Sequence, residues 1–459
     1  MDSPNTAIPL ISKAVEHSLA LQFGDIPILA RDCAKTLILD SIGVGLAGSC
    51  TTESGWLQSF ATQNSSGLTS NGWNMNRKLD AANAAMINAH QMHTLEFDAI
   101  HEPAVVHPMT VVLPSVIAWM QREQILNGYI PTGQDLIKAV CVGVDIAGGI
   151  GDVTTSALQF FRPATAGALG AVAAINSISS PTREVAMSAI GVVYGQLSGT
   201  MQAHTEGAQV LALQVGFNAR AAINAIDLAQ IGFIGPEYIL EGKYGYFTLF
   251  EKSGNPEDLM NRLGQQWEVT RTSLKPFPSG RATHGAIDAI LQLRAEHSLT
   301  RDQIASIAVT VPPMVYNLVG RRPDIDMPVG AARLCLAYLI PLAIDTGLVT
   351  LDCYSEANLR NPELYEWAKR ISVTADKNPD LNAFDPQGVK ITLKNGQVLE
   401  KVMPYSLGSP TNPMTQAQIH QKLSSNLDLV GRNNLFEDIV GTVNDLENQT
   451  DLTPLLEAL

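Results

Sequence analysis

The sequence predicts a mainly α-helical protein, with a large all-helical domain and an inserted α+β domain. Three observations lead to this fold class. Across the first 265 residues, segments rich in Ala and Gly lack the alternation that is typical of β-strands. Beyond that point, segments with alternating β-branched residues appear, and a helical pattern returns near residue 416. We therefore predict a helical domain over 1–265, an α+β domain over 266–407 and C-terminal helices over 408–459 that return to the helical domain.

Four segments of the first part have the composition of buried helices. They are 31–49, 81–90, 136–150 and 166–178. Apolar residues surround several of these segments on nearly all sides, which is typical of helices inside a bundle. Their small residues let neighbouring helices approach each other closely. The first part of the chain is therefore predicted to form a large helical bundle.

Three segments of the middle part are predicted to form β-strands. They are WEVTRT (267–272), IASIAVTVPP (304–313) and GVKITLKNGQVLEKV (388–402). In the last of these, Asn395 and Gly396 separate two alternating runs, which is typical of a hairpin with a type I′ turn. This hairpin is the clearest local signal in the chain.

Helices are predicted between and after these strands, at 285–297, 329–348, 416–427 and 453–459. The 329–348 segment is the most apolar stretch of the sequence, but Arg333, Pro341 and Asp345 interrupt it. Because such residues are costly in a lipid bilayer, the segment is predicted to be a buried core helix and not a membrane span. A turn-rich linker at 406–415 precedes the C-terminal helices.

Composition and charge exclude several classes of partner. The 459 residues are 46% hydrophobic and 16% charged, with a formal net charge of −14. An acidic surface argues against nucleic acid and against an anionic membrane, since both favour a basic face. The N-terminus lacks the pattern of a secretory or mitochondrial signal, and the five cysteines have no metal-binding spacing. We therefore expect a cytoplasmic protein in a reducing compartment.

The densest polar cluster of the sequence lies at 93–108, HTLEFDAIHEPAVVHP. Its polar members are His93, Glu96, Asp98, His101, Glu102 and His107. Two prolines prevent a single regular helix, so the segment is predicted to be a loop at the mouth of a buried site. Neighbouring carboxylates and histidines can supply a proton acceptor, a proton donor and an orienting group. A solvated loop and a metal site remain as alternatives, although the spacing matches no recognised set of ligands.

A second cluster lies at 273–288, SLKPFPSGRATHGAID, where Lys275, Arg281 and His284 surround a Pro-Phe-Pro-Ser-Gly turn. Two cations beside open backbone amides suit an anionic ligand, and the guanidinium can bind it through two hydrogen bonds. The alternative is a connection between domains with ordinary surface cations.

Single residues outside these clusters give weaker indications. Arg162 lies among aromatic residues before a predicted helix, which is compatible with a pocket and equally with an ion pair in the core. Tyr316 follows the 304–313 strand, where packing is the commoner role. His204 and Glu206 suit either a polar pocket or a helix end that faces water. Dinucleotide, P-loop, zinc-protease and α/β-hydrolase motifs are all absent from the sequence.

Five segments together resemble the MmgE/PrpD family, and the resemblance runs nearly from end to end. These segments are LILDSIGVGLAGS (37–49), FDAIHEPAVVHPMTVVLPSVIA (97–118), YGYFTLF (244–250), KPFPSGRATHGAID (275–288) and GSPTNPMT (408–415). The resemblance implies a helical domain capped by an α+β lid, with the site in the cleft between them. It also implies a homodimer, no metal or organic cofactor, and di- or tricarboxylate substrates.

The resemblance further implies roles for individual residues. Asp98 and His107 match the catalytic acid and histidine of the loop, while Lys275 and Tyr316 match the lysine and tyrosine of the lid. Glu96 stands where many members have Asp. For substrate binding, the sequence proposes Glu96, His101, Arg162, Arg281 and His284.

Three departures from the family pattern bear on the substrate. Arg162 stands where many members have His, Ile100 where a small hydroxyl residue is usual, and the stretch around Leu211 lacks the lysine of the decarboxylases. With fewer polar partners, a tricarboxylate would leave buried charge unpaired, which is costly. These departures predict a less charged acid, such as an alkylcitrate-like intermediate of secondary metabolism.

Three functions follow as hypotheses. The leading one is a metal-free lyase, a dehydratase or decarboxylase, that acts on a di- or tricarboxylate or an alkylcitrate-like acid by acid–base catalysis. The second is a divergent isomerase or cyclase of a specialised pathway that uses the same pocket on a less charged substrate. The third is a non-catalytic binding or scaffold protein that keeps only the fold, because fold alone does not determine function.

Overall fold

The computed structural model describes residues 8–380 and 382–459, and these residues form a mainly α-helical protein with a separate sheet-containing domain. The helices of the first part are α1 (Ile11–Ala20), α2 (Ile28–Gly48), α3 (Thr52–Asn64), α4 (Ala81–His93), α5 (Met109–Asn127), α6 (Gly133–Asp152), α7 (Arg162–Ser179), α8 (Arg183–Tyr194), α9 (Gln202–Glu206), α10 (Val210–Gln230) and α11 (Pro256–Arg262). The four helices predicted in this part are confirmed, and their apolar residues are buried on nearly every side.

The helices of the first part share one hydrophobic core, with α7 packed between α5, α6 and α10. Glycine makes the closest of these contacts possible. A Cβ atom at Gly170 in α7 would lie 2.4 Å from the carbonyl oxygen of Gly143 in α6. A side chain there would force the two helices apart, so the small residues of the sequence explain the dense packing.

The second part contains a four-stranded sheet in the order β6-β5-β7-β8. The strands of the protein are β1 (Ser70–Asn71), β2 (Lys78–Leu79), β3 (Ile100–His101), β4 (Thr272–Ser273), β5 (Ile304–Val311), β6 (Ile371–Ala375), β7 (Gln387–Leu393) and β8 (Val398–Met403). The helices are α12 (His284–His297), α13 (Pro313–Val319), α14 (Val329–Arg333), α15 (Leu336–Thr346), α16 (Glu356–Leu359) and α17 (Pro362–Ala368). Strand β5 runs parallel to β6 and antiparallel to β7. Helices α12 and α15 pack on this sheet around a second hydrophobic core.

The strand predicted at 267–272 is wrong. Glu268–Arg271 forms a 3₁₀ turn, and only Thr272–Ser273 is extended, as β4. Local and long-range hydrogen bonds together explain the difference. The hydroxyl of Thr270 donates to the carbonyl of Trp267 and that of Thr272 to the carbonyl of Glu268, while the amide of Glu268 donates to the distant Asp145. Such side-chain bonds offer the backbone an alternative to a sheet ladder.

The predicted hairpin is confirmed as β7 and β8, but the predicted turn type is wrong. Gly396 has a φ of 88°, whereas Asn395 is not among the residues with positive φ. A type I′ turn requires positive φ at both of its central residues. Here the carbonyl of Leu393 accepts from the amide of Gly396, and that of Gln397 accepts from the amide of Leu393. The connection is therefore a three-residue loop that ends in a left-handed glycine.

The apolar 329–348 segment is buried as predicted, but it is broken at Leu334 and Cys335 into α14 and α15. No single helix within 8–380 and 382–459 is long and apolar enough to cross a membrane. Helices α2 and α3 together have the length and apolar composition of a membrane span, but the chain bends by 86° between them.

The C-terminal helices are α18 (Gln416–Leu429), α19 (Phe436–Asn444) and α20 (Thr453–Ala458). Thr415 caps α18 by accepting a hydrogen bond from the amide of Gln418. Leu423 and Leu427 of α18 join the core of the first helices, where α18 packs on α2. The end of the chain thus packs against its beginning, while the domain boundaries at 265 and 407 stay predictions.

Candidate active site

The loop of residues 94–108, between α4 and α5, has a tightly constrained backbone. Glu96 and Val105 both have a φ of 52°, a left-handed conformation that is uncommon for residues other than glycine and rarest for a β-branched one. Strand β3 of the loop pairs with β4, so the loop is held by tertiary contacts. The buried ammonium of Lys422, on α18, donates to the carbonyl of Phe97 at 2.8 Å. Strain of this kind concentrates at functional sites.

Asp98 is the centre of the site, and it is fully buried. One carboxylate oxygen, Oδ2, lies 2.6 Å from Nδ1 of His107 and 3.1 Å from Nδ1 of His93. The other, Oδ1, lies 3.7 Å from Nζ of Lys275. Because both histidines turn Nδ1 towards the carboxylate, their Nε2 atoms remain for other contacts. Nε2 of His107 makes no hydrogen bond to any residue that the structure describes.

Glu96 and Lys275 form a second pair beside this carboxylate. The Lys275 ammonium is buried and donates to both the carbonyl oxygen and Oε2 of Glu96, each at 3.1 Å. Oε1 of Glu96 lies 3.7 Å from Nε2 of His93. Two carboxylates thus surround one lysine, so that each buried charge has a partner of opposite sign.

The environment displaces the pKa values of the two histidines in opposite directions. Burial works to lower the pKa of His93, but the Asp98 and Glu96 carboxylates outweigh it and raise that pKa above its usual value. Burial also lowers the pKa of His107, and the nearby Lys275 and His93 cations keep it low despite Asp98. Of the two rings, His93 therefore holds a proton more readily, and His107 holds one less readily. Such divergent pairs are typical of an acid and a base in one site.

The carboxylates are held in their charged form. Burial acts to raise the pKa of Glu96, but Lys275 and the two histidines lower it to about 2. The pKa of Asp98 lies well below its usual range, because His107, His93 and Lys275 outweigh the effect of burial. Both groups are therefore anions at neutral pH.

Two neighbouring cavities adjoin this cluster. One, here called the chamber, has a volume of about 60 Å³, and the other, here called the vestibule, about 470 Å³. His93, Glu96 and Leu211 line both. The polar residues of the chamber wall are His93, Glu96, His107, His204 and Arg281, and the rest of the wall is mostly apolar: Ile100, Val105, Leu158, Phe161, Pro163, Met201, Leu211, Ala282, Leu318, Val319, Leu334 and Phe384. Residues on both sides of position 265 thus line the chamber.

The structure brings the predicted residues Glu96, Asp98, His107 and Lys275 together in this cluster. Only Glu96 and His107 of these four line the chamber, while Asp98 and Lys275 lie behind them.

Arg162 is not placed to bind substrate. Its Nε and Nη2 atoms each donate to Glu251 at 2.8 Å, and Nη1 donates to the carbonyl of Ala104 at 2.6 Å. The side chain is fully buried and does not line the chamber. We therefore correct its assignment to the other possibility that the sequence allowed, an ion pair in the core.

His101 also lies outside the chamber wall. The amide of Ala104 donates to its Nδ1 at 3.2 Å, so Nε2 carries the proton and donates to Glu268 at 2.7 Å. Glu268 in turn binds Arg271. This network joins the loop to the 3₁₀ turn at 268–271, and it replaces the substrate contact that was predicted for His101.

Arg281 and His284 act as structural residues of the second cluster. The Arg281 guanidinium binds Glu102 at 2.6 Å and the carbonyls of Leu407 and Ser406 at 2.5 and 3.2 Å. His284 donates from Nε2 to the carbonyl of Ser279. Arg281 lines the chamber while its Nε, Nη1 and Nη2 atoms each donate to other groups of the protein, and its predicted role in substrate binding stays a prediction.

Tyr316 is not at the site. Its side chain lies on α13, is 41% exposed and lines neither the chamber nor the vestibule. Helix α13 reaches the chamber through Leu318 and Val319 instead. The catalytic role that the family resemblance implied for Tyr316 is therefore not supported by its position.

These cavities are also lined by His93, Arg333 and Tyr354, which were not predicted as site residues. His204, for which the sequence allowed a polar pocket as one of two possibilities, lines the chamber. His93 had a signal, since it belongs to the same polar cluster as Asp98. Arg333 had a weaker one, because a charged residue within an apolar segment needs a partner. Nothing in the local sequence marks Tyr354.

His93, Asp98 and His107 offer three ligand atoms that lie within 4.8 Å of one another, a spacing that a metal ion could use. The Lys275 ammonium, 3.7 Å from Asp98, would repel such an ion. The donor set therefore fits a proton relay better than a metal site.

Comparison with known proteins covers most of the chain. Residues 15–258 match the MmgE/PrpD N-terminal domain, and residues 277–445 match the MmgE/PrpD C-terminal domain. The chain is 25% identical over 442 residues to the cis-aconitate decarboxylase of Mus musculus, a match that covers 93% of this chain and 88% of the relative. It is 26% identical over 462 residues to the cis-aconitate decarboxylase of Aspergillus terreus (strain NIH 2624 / FGSC A1156), with 95% and 92% covered. The protein is accordingly an enzyme of the lyase class, and with both domains matched in order the chain belongs to the MmgE/PrpD family.

Proposed function

We propose that this enzyme removes carbon dioxide or water from a di- or tricarboxylic acid by acid–base catalysis in the chamber, without a metal ion. One observation carries the proposal: a single oxygen of Asp98 binds two histidines whose pKa values are displaced in opposite directions. This arrangement supports a proton donor and a proton acceptor that act side by side against the same cavity.

In this scheme His107 is the base and His93 is the acid. For loss of water, Nε2 of His107 takes a proton from carbon, the electron pair of that C–H bond forms the double bond, and the departing hydroxyl takes a proton from His93. For loss of carbon dioxide, the C–C bond to the carboxylate breaks, and the electron pair left on carbon takes a proton from His93. Both histidines line the chamber; loss of water uses both of them, and loss of carbon dioxide uses the proton of His93.

Asp98, Glu96 and Lys275 support this chemistry electrostatically. Asp98 orients both imidazole rings and favours the proton on His93. Lys275 holds the Glu96 carboxylate and backbone in place. Because Lys275 does not line the chamber, we assign it a positioning role beside the charges and not a contact with substrate.

The mostly apolar wall supports a substrate with an apolar substituent. The relatives are named for cis-aconitate, a compact tricarboxylate. Here Ile100, Leu211, Phe161 and Met201 line the chamber, and a carboxylate among them would lack hydrogen-bond donors. An alkylated relative of citrate or aconitate would bury its alkyl group against these side chains and keep its carboxylates near the polar residues of the wall.

The test is turnover by purified, EDTA-treated enzyme, followed by proton NMR. The panel holds citrate, methylcitrate, a longer alkylcitrate, cis-aconitate and an alkylated aconitate. We expect turnover of at least one alkylated acid, with release of carbon dioxide or formation of a double bond identifying the reaction. His93→Asn should abolish turnover by either reaction and His107→Asn should abolish loss of water, whereas the control His297→Asn, at an exposed position on α12, should do neither. No turnover of any acid by folded enzyme, or restoration of activity only by added metal, would contradict the proposal.

The family resemblance also leads us to propose a cytoplasmic homodimer. Light scattering tests the assembly: the expected mass is about twice the 49.2 kDa of one chain.

A further inference from the structure

Arg333 is a buried cation with unused hydrogen-bonding capacity. It is the last residue of α14, is 9% exposed and lines the vestibule. Nη1 donates to the carbonyl of Thr94, and the guanidinium carbon lies 5.1 Å from the ring centre of Tyr354. Nε is buried without a hydrogen-bond partner. Within the described part of the chain, Arg333 forms no ion pair with a carboxylate.

The other two buried arginines near the site differ in this respect. Arg162 is paired with Glu251, and Arg281 with Glu102. A buried guanidinium without a carboxylate is costly, because it has lost water and gained no anion in return. In keeping with this, burial lowers the pKa of Arg333, although Tyr354, Glu96 and Glu53 act to raise it. An incoming carboxylate would supply the missing partner through two parallel hydrogen bonds.

The vestibule is lined both by this cation and by His93. It contains both Arg333 and the residues His93, Glu96 and Leu211 that it shares with the chamber. The chamber itself, at about 60 Å³, has space for only a few water-sized groups. A polycarboxylic acid that reaches His93 from the chamber would therefore place its other groups beside the residues of the larger vestibule, which His93 also lines. The negative charge of Glu96 on that path is balanced by Lys275.

We propose that Arg333 binds a carboxylate of the substrate in the vestibule while the apolar substituent of the same molecule occupies the chamber. This inference rests on the proposed lyase function and deepens it, because it assigns the substrate class. The substrate is an acid with a carboxylate at one end, an alkyl group at the other and the reacting carbons between them, beside His93 and His107.

The test is calorimetric binding of tricarballylate, a saturated tricarboxylate, to the full-length protein and its variants. Arg333→Gln removes the charge, Arg333→Lys keeps the charge but not the paired geometry, and Arg322→Gln is a matched control at an exposed neighbouring position. We expect a Kd about 10- to 100-fold weaker for Arg333→Gln, as for loss of hydrogen bonds to a charged group, an intermediate value for Arg333→Lys and no change for Arg322→Gln.

The outcomes separate this inference from the lyase proposal. Unchanged affinity in Arg333→Gln, or no binding by wild type, would overturn the assignment of Arg333 even if the enzyme turns over an alkylated acid. Conversely, binding that depends on Arg333 without turnover of any acid would uphold the subsite and refute the lyase proposal. Melting temperatures establish that each variant is folded. If Arg333→Gln is not folded, Arg333→Lys alone decides, since a purely structural cation would leave its Kd unchanged.

Discussion

Nδ1 of His107 lies 2.6 Å from Oδ2 of Asp98, and it shares that oxygen with His93. One buried carboxylate thus holds two imidazole rings, whose centres lie 4.8 Å apart in an edge-to-face arrangement. Sharing a single oxygen couples the two histidines, since the charge on either ring alters the pKa of the other.

Asp98→Asn should lower kcat by about 10²- to 10⁴-fold, the range for loss of general acid–base catalysis. The amide keeps the size of the side chain but removes the negative charge that holds the proton on His93. Steady-state kinetics of the folded variant measure the effect. Asp428→Asn, on the exposed side of α18, serves as the control and should retain wild-type kcat. Equal activity of wild type and Asp98→Asn would refute the central role of this carboxylate.

The pH profile of kcat/KM should be bell-shaped. His107 must be neutral to accept a proton, and its pKa lies below 6.5, so activity should fall as the pH drops through that lowered value. His93 must be protonated to donate, and its pKa lies above 6.5, so activity should also fall as the pH rises through that raised value. Initial rates from pH 4 to 10 at constant ionic strength test both limbs. For loss of water, a profile that lacks either limb would contradict the assignment; for loss of carbon dioxide, a profile that lacks the limb of His93 would do so.

Arg162→Met should destabilise the protein without a specific effect on substrate binding. It leaves the buried Glu251 carboxylate without its cation, which costs about 3–5 kcal/mol. Urea denaturation measures the free energy of unfolding. The double variant Arg162→Met, Glu251→Leu should recover much of the loss, because it removes the unpaired charge. A variant of wild-type stability with a raised KM would instead restore Arg162 as a substrate ligand.

Leu211→Lys should shift the substrate preference towards unsubstituted tricarboxylates. Leu211 lies where the chamber meets the vestibule, so a lysine there would place a cation beside the path of the substrate and shorten the apolar wall. Competition between cis-aconitate and an alkylated aconitate measures the ratio of kcat/KM values. Leu213→Lys, on the same helix but outside both cavities, is the control. An unchanged ratio of kcat/KM values in Leu211→Lys would mean that the apolar wall does not determine the substrate specificity.

The sequence predicted the parts of the fold that depend on local patterns. Helices such as 136–150 and 166–178 follow from composition and periodicity, and the 388–402 hairpin follows from alternation around Asn395-Gly396. The 267–272 segment was predicted wrongly, because its β-branched residues suggested a strand while tertiary contacts of Glu268 favoured a turn. Local preference is decisive only where no long-range contact opposes it.

For the site, the sequence by itself determined the cluster of 93–108, because His93, at the end of α4, and Asp98 and His107, in the loop that follows, are close along the chain. Only the tertiary structure decided which cations join that cluster. It brings Lys275 to Glu96 across 179 residues, ties Arg162 to Glu251 and leaves Arg333 without a carboxylate. The physical reason is that a buried charge takes whatever partner the packing of distant helices brings within reach, and the local sequence carries no record of that choice.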